Sequence, residues 1–547
     1  LRALGIKVTD GPGGSLTSVA GPEVKAEGIE RKRLTALPRV GSWWHLRAAL
    51  RLRIIGATVL ASAAVAACSA KRGPASTARP APSFQQLIAS DLAYAQQQLR
   101  ATVAAVPADR YPFLTNSSGN WTTTDSSQWT SGFLPGELWL MYQWTHDPKW
   151  KAQADARQAG IENQEGNIST HDLGFMFFTS FGNGYRLTGD PGYRQAMLAA
   201  TRSLATRYSP VVRSIRSWDN AASDPSTDFK VIVDNMMTLS LLWWGASQTG
   251  GQRAWYDMAV NHSERAMQEN VAPGGSIYQL VIYNADSGAV VSRSNPNWSR
   301  GQAWAIYGFT QAYEETHDAA FLATAEDTAN YFISHLPADG VPEWNLDAPN
   351  APDTPRDSSA AAIAASALIE LSQDVSNTGE ATRFLSTAKH ILTTLSSPSY
   401  LSRGTSSAAI LLHGADNEPA GSSDTGLTFG DYYFIEALLR YQELESSWTK
   451  ITSASTSSTH HTATVSFKVI APAVGLQCVL TKDPTNLTES TPAFSSCRSP
   501  RTYRRLAPAR YTFEVRARAL GPTAGSLGPI DPLAGHGTPA TKRLRIT

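Results

Sequence analysis

Cysteine is nearly absent. Only Cys68, Cys478 and Cys497 occur in 547 residues, and the middle of the chain has none. That excludes a thiolate metal site or a cysteine nucleophile from the bulk of the protein. Net charge is nearly absent too. Lys and Arg number 47 against 46 Asp and Glu, formally +1. No long-range field therefore draws the chain to nucleic acid or to a large anionic surface. An acidic ligand would have to be recognised by local charges. A long apolar run is also missing. The strongest, Ile54 to Ala67, holds fourteen small or apolar residues, too few for a comfortable membrane span. What remains is ordinary globular material, 42% hydrophobic and 17% charged, and too long for one core. Fifteen Trp and 18 Tyr suit core packing first, and the apolar faces of sugars second.

The short apolar run follows Arg47, Arg51 and Arg53 and ends on small residues. That order is a signal peptide. Val65-Ala66-Ala67-Cys68 resembles a bacterial lipobox with Cys68 as the lipid-bearing residue, and a plain signal peptide with a chance cysteine is the alternative. The expectation is an exported protein, lipoprotein or secreted, that touches a membrane only through this anchor. Residues 47–68 are assigned to the signal, and 1–46 to a misplaced start, a fragment boundary or a disordered extension. Residues 69–83, rich in Pro, Ala and Arg, read as a flexible tether.

From 84 to 448 similar blocks recur about 60 residues apart. Each opens on a small or polar residue, runs as an apolar helix, breaks, and resumes as a more amphipathic one. The openings are at Trp129, His171, Asp234, Ser299, Asp357 and Gly430. The breaks share a signature, as in Thr145-His146-Asp147-Pro148 and Thr188-Gly189-Asp190-Pro191, that stops one helix and starts the next. Such a period predicts a repeat architecture. Six buried helices ringed by six outer ones predict an all-α (α/α)6 toroid, closed by a helix near Gln85 to Val106. An open solenoid is the alternative. Closure would gather the starts of the six inner helices, and their unusual polar residues, at one mouth.

After 448 the composition shifts. Residues 449–462, rich in Ser, Thr and His, read as a linker, and 463–547 as a small β domain. Alternation and turn residues suggest an immunoglobulin-like sandwich, with Cys478 and Cys497 able to bridge strands in an exported protein. Cys497, Ser499, Pro500, Tyr503, Leu506 and Tyr511 to Ala517 resemble a pattern in bacterial Ig-like modules. No chemistry is assigned there.

The candidate chemistry sits at the inner-helix openings. His171-Asp172 and Asp234-Asn235 precede apolar stretches, Arg300 lies between Trp298 and Trp304, Asp357 follows Arg356, and Asp431 precedes two tyrosines. One Asp at a helix start is most simply an N-cap. Two beside one mouth, with Trp and one Arg, suit general acid/base work on a sugar acid. Burial among Met and Phe would raise an Asp pKa enough to hold a proton near neutrality.

Five segments, HDLGF, DNMM, WSRGQAW, PRDSSAAAIAASAL and GDYYFIEALLRY, together resemble glycoside hydrolase family 88, the unsaturated glucuronyl hydrolases, over about 84 to 446. The resemblance implies an (α/α)6 barrel. It implies Asp234 as general acid/base and Asp172 as its partner. It implies removal of a 4,5-unsaturated uronic acid from the non-reducing end of lyase-generated oligosaccharides, by hydration of a vinyl ether. Arg300 would hold the uronate carboxylate. Trp298, Trp304 and Trp129 would line its subsite, with His171 beside them. No metal or cofactor is implied, and the partner is the oligosaccharide. Two departures bear on substrate range: Gln279 stands where the family usually has His, and the SRSNPN loop ahead of WSRGQAW is short. His262 reads as a helix-surface residue rather than a replacement. The competing readings are an unsaturated rhamnogalacturonyl hydrolase, a sugar epimerase needing paired histidines at the mouth, and a non-catalytic carbohydrate-binding lipoprotein.

Overall fold

The structure, a computed structural model, describes residues 83–219, 229–248, 250–446, 449–469, 475–482, 495–518 and 540–546. The stretch read as a signal peptide, Cys68 included, and all but Ser83 of the stretch read as a tether lie outside the described residues.

The helices are α1 (Phe84–Ala105), α2 (Phe133–Thr145), α3 (Pro148–Gln158), α4 (Asn183–Thr188), α5 (Pro191–Ala205), α6 (Asn235–Ser247), α7 (Arg253–Glu269), α8 (Ser299–Thr316), α9 (Ala319–Ser334), α10 (Ser358–Asp374), α11 (Thr378–Leu395) and α12 (Thr428–Ser446). A π-helical segment, Gly174–Gly182, runs directly into α4. The inner helices pack in sequence: α2 on the π segment, then α6, α8, α10 and α12, and α12 returns to α2. The ring closes, so the solenoid alternative is set aside. Each outer helix covers the inner helix before it, and α1 covers α12, the closing role expected of the N-terminal helix.

The inner-to-outer turns are tight, and three are built bond for bond alike. The Thr145 hydroxyl donates to the Met141 carbonyl at 2.7 Å and accepts the Asp147 N–H. Asp147 then caps α3 by accepting from the Lys149 N–H. Thr188 with Asp190, and Thr316 with Asp318, repeat this. The residue between is left-handed each time, with φ of 54° at His146, 70° at Gly189 and 55° at His317. A left-handed residue ends the inner helix, and an Asp cap starts the outer one.

Burial follows helix position. Ala360 to Leu368 of α10 are enclosed on every face, as a helix with neighbours all round must be. On α11 only a stripe is buried, Phe384, Ala388, Ile391, Leu392 and Leu395. Inner helices also approach closely at glycine. A Cβ on Gly174 would lie 2.3 Å from the Thr238 Cα, and one on Gly132 2.4 Å from the Met176 carbonyl oxygen. The pairs Gly132–Met176 and Gly174–Thr238 both fall near helix starts, so those starts lie side by side.

The outer-to-inner connections are long and all lie at the opposite end from the tight turns. They carry the hairpin Tyr111–Thr115 with Trp121–Thr124, the hairpin Tyr208–Ser209 with Ser214–Ile215, and a three-stranded antiparallel sheet of Phe229–Ile232, Tyr278–Tyr283 and Val290–Pro296. The SRSNPN stretch, read as a short loop, is the edge strand of that sheet. At the seam where α12 meets α2, the Asp431 carboxylate accepts the Ile410 and Leu411 N–H groups at 2.8 Å each. Burial pushes it and its neighbour Glu137 far up from the usual carboxylate range.

The C-terminal region holds two antiparallel sheets. One orders Arg501–Tyr503, Thr462–Val469 and Thr449–Ser457; the other orders Ser495–Ser496, Gly475–Lys482, Ala509–Arg518 and Ala540–Ile546. They share a core of Val465, Phe467, Cys478, Phe513 and Val515. Cys478 and Cys497 are disulfide-bonded, with Cα atoms 5.7 Å apart. Residues 449–462 are not a linker. Thr449–Ser457 is a full strand paired along Thr462–Val469. Its Thr residues are β-branched, and Ile451 and Ala454 reach the shared core, so a composition read as linker is strand-forming once a partner edge is present.

Candidate active site

The long connections gather the sequence candidates around the starts of the inner helices. Asp234 occupies the N-cap position of α6, yet its side chain makes no cap hydrogen bond. Its Oδ2 is shut off from solvent without a hydrogen-bond partner. An unpaired buried carboxylate oxygen is costly, and the carboxyl responds by holding its proton. Burial pushes its pKa up from 3.8 to about 6; His171 and Arg300 pull it down, and Asp172 raises it by the smallest contribution. The expected cause, burial, therefore dominates over like-charge repulsion. The cap reading holds instead for Asp357, which accepts the Ser359 N–H at 3.0 Å, and Asp431 is held by backbone.

Asp172 is more open. It accepts a 2.6 Å hydrogen bond from the Thr170 hydroxyl, and the buried His171 places Nε2 3.4 Å from its Oδ1. His171 Nδ1 faces the Ser217 carbonyl at 2.7 Å, so Nδ1 carries the proton and Nε2 points toward the carboxylates.

Sequence reasoning missed the hub that joins the two aspartate segments. Ser217 is fully buried. Its carbonyl takes the His171 N–H, its hydroxyl accepts from the Ile232 N–H at 2.9 Å and donates to Asn235 Oδ1 at 2.8 Å. Asn235 in turn donates to the Ile215 carbonyl. One serine thus ties the residue before Asp172 to residues on both sides of Asp234. The available signal was Asn235, a polar residue inside an apolar helix start. Ser217 itself, alone in a loop, had none.

The remaining candidates divide. Trp129 is half-buried, tilted on Phe429 at 4.9 Å and edge-on to Phe175 at 5.3 Å. Trp298, also half-buried, lies under the Arg300 guanidinium at 4.4 Å. Gln279 sits one strand from Asp234: its carbonyl accepts the Val233 N–H, and its side chain accepts from Asn295 at 3.0 Å. Arg300 differs from expectation. It is buried, and its guanidinium donates to the carbonyls of Ala415 and Asp416 and lies 3.5 Å from Asp357. Its fork is already occupied by backbone, so it is not a free clamp for a carboxylate. Trp304 is fully buried, wedged 5.2 Å from both Phe175 and Tyr433. It is core, because its position on α8 points it inward between neighbouring inner helices. His262 is not on the surface either. It is fully buried, and Nδ1 accepts the Ile215 N–H at 3.0 Å, holding the hairpin that carries Ser217. Burial drives its pKa down to about 3, so it is a neutral acceptor. Among the described residues no group of three or more His, Cys, Asp or Glu is placed to hold a metal ion.

No family model matches the chain. Named relatives do. The chain is 39% identical over 331 residues to the unsaturated glucuronyl hydrolase of Formosa agariphila, covering 58% of this chain and 81% of that protein. It is 28% identical over 369 residues to an unsaturated chondroitin disaccharide hydrolase of Streptococcus pyogenes serotype M1, covering 65% and 92%. Among solved structures, an unsaturated glucuronyl hydrolase specific for heparin superposes with a TM-score of 0.63 at 34% identity, covering 66% of this chain and 98% of that one.

Proposed function

The chain belongs to the unsaturated glucuronyl hydrolases, and we propose that Asp234 is the group that moves the proton in its reaction. The protein is a glycosidase that removes the 4,5-unsaturated uronic acid from the non-reducing end of lyase-generated oligosaccharides. Its relatives point away from the rhamnogalacturonyl and non-catalytic readings. Protonated Asp234 delivers its proton to C4 of the vinyl ether. The C5 cation formed is stabilised by the ring oxygen. Water adds at C5, and the Asp234 carboxylate takes the proton that water loses. The resulting C5 hemiketal opens the ring, and the hemiacetal left at C1 releases the rest of the oligosaccharide. One carboxyl therefore has to be an acid first and a base second, which suits a pKa near the working pH.

The observation that carries this reading is the buried, unpartnered Oδ2 of Asp234, on a carboxyl pushed up to about 6. Asp172, with His171 behind it, orients the water or the sugar. Trp129 and Trp298 supply the stacking walls. Arg300 acts through its charge and by holding residues 415–416. The test is loss of enol-ether absorbance on a panel of lyase-generated disaccharides from chondroitin and heparin. Turnover of at least one supports the reading. No turnover on any, by a folded protein, sinks it. The relatives' names span chondroitin and heparin, so the uronyl unit is the shared determinant and the leaving sugar the variable one.

Two further readings accompany it. The C-terminal sheets serve as an Ig-like spacer module, supported by their common core and disulfide. Export proceeds through a lipobox at Cys68, supported by the Arg-rich, apolar and VAAC order; mass spectrometry of membrane-extracted protein should find an acylated Cys68 as the first residue, and a mature chain that retains residues 1–60 refutes it.

A further inference from the structure

A cavity of about 490 Å³ runs among the inner helices from Gly174, Phe175 and Met237, within a turn of the two aspartates, to the opposite end of the ring. Its polar lining comes from later turns, including Gln143 of α2, Arg186 of α4, Trp244 of α6, Gln311 of α8, Glu370 of α10 and Glu443 of α12. Neither Asp172 nor Asp234 borders it. From Asp234 to Trp244 is ten helical residues, or about 15 Å along the axis at 1.5 Å per residue. The tight turns cluster at this end, where Arg510 of the C-terminal sheets donates to the Thr316 carbonyl, and among the described residues none of those sheets lines the bowl. Phe175, Trp304 and Tyr433, packed ring to ring at 5.2 Å, lie between this bowl and the catalytic mouth, and Phe175 and Tyr433 line its floor.

We propose that this bowl is a second carbohydrate site, one that takes a neutral pyranose unit. Two half-exposed rings make its stacking corner: Tyr185 and Trp244 meet with centroids 5.7 Å apart and planes at 82°. A pyranose can lay one apolar face on such a ring and turn its hydroxyls elsewhere. The polar groups opposite are suited to hydroxyls. Ser240 donates to Gln311 Oε1 at 2.9 Å, which fixes the amide and leaves its N–H groups without a partner among the described residues. Glu436 spends one oxygen, Oε2, on the Tyr307 and Ser366 hydroxyls, and its other oxygen remains as an acceptor.

Charge selects the ligand. Glu370, Glu436 and Glu443 line the bowl against Arg186 and Arg440. Arg440 is engaged through all three guanidinium nitrogens, the exposed Arg186 through Nη2. Arg440 lies 3.2 Å from Glu370 and donates to the Ser366 carbonyl and the Tyr307 hydroxyl. Arg186 donates to Gln143 and Asn183. A uronate or sulfate would find surplus acid and, at Arg440, a fork already spent. A neutral hexose meets neither penalty. The site would hold a neutral unit of a polysaccharide while the distant mouth trims a different chain end.

The test uses the whole protein with methyl β-D-glucopyranoside and N-acetyl-D-galactosamine as probes, read by saturation-transfer NMR and calorimetry. A small sugar on one aromatic corner binds in the millimolar range, so a Kd of about 1–10 mM is expected for at least one probe. Trp244→Ala and, as a milder change, Gln311→Ala should each weaken it at least tenfold, with turnover on the unsaturated disaccharide kept within about twofold. In Asp234→Asn protein, which does not convert it, unsaturated disaccharide should not displace the probe. The proposal is overturned if neither probe binds by about 50 mM, if binding survives both substitutions, if unsaturated disaccharide competes, or if free glucuronate binds as well as the neutral sugars.

Discussion

Asp234→Asn separates what this residue does for the reaction from what it costs the fold. The substitution keeps the shape and removes both the proton and the base. Positioned general acid/base catalysis contributes about 10²–10⁴-fold, or roughly 3–5 kcal/mol of barrier. One carboxyl serves two steps here, so the loss should reach the upper end. Stability should move the other way. The native carboxyl titrates at about 6 against an ordinary 3.8. Below 3.8 both folded and unfolded forms are protonated, and there is no difference. As pH rises from 3.8 to 6 the unfolded chain gives up its proton while the folded one keeps it, so stability falls, by up to about 3 kcal/mol above pH 6. Asn has no proton to lose and escapes that penalty. The mutant should therefore gain in thermal midpoint relative to wild type between pH 4 and 6, with the gain constant above. The assays are absorbance loss on an unsaturated disaccharide and melting curves from pH 4 to 8. Near wild-type turnover in Asp234→Asn refutes the assignment. A pH-independent difference in melting refutes the burial argument even if turnover is lost.

Asp172→Asn should also cripple turnover, and it should move the Asp234-dependent limb of the pH–rate profile to lower pH, by a small step because Asp172 is the least of the influences on Asp234; a shift to higher pH would contradict the like-charge contact. Trp304→Ala should cost about 3–5 kcal/mol of stability in chemical denaturation, since the ring is core; an unchanged stability with a raised KM would restore it to the substrate wall. Gln279→His places a group that can carry charge one strand from Asp234, and should change the ranking of chondroitin and heparin disaccharides more than turnover on the best one; a thousandfold loss on every substrate would put residue 279 in the chemical step. Replacing Cys478 and Cys497 by Ala should destabilise the β region by roughly 3 kcal/mol while turnover persists; lost turnover in the folded variant would join that region to the site.

The repeat is legible in the chain because its rules are local. A threonine, a left-handed residue and a capping aspartate are three neighbours, and their spacing alone marks where each inner helix turns back. The apolar openings show which helix is buried for the same reason. The two aspartates were legible as a pair beside apolar runs, although the sequence by itself left each of them open to a capping role. Only the tertiary structure separated Asp234, whose oxygen finds no partner, from Asp357, which caps. It also decided that Arg300 spends its fork on carbonyls 115 and 116 residues away, that Trp304 faces inward, and that His262 supports a hairpin. It made Thr449–Ser457 a strand by bringing a partner edge to it. Burial and hydrogen-bond partners belong to groups far apart in the chain, so residue type at a position reports what a side chain can do, and only packing reports which of those capacities is already used.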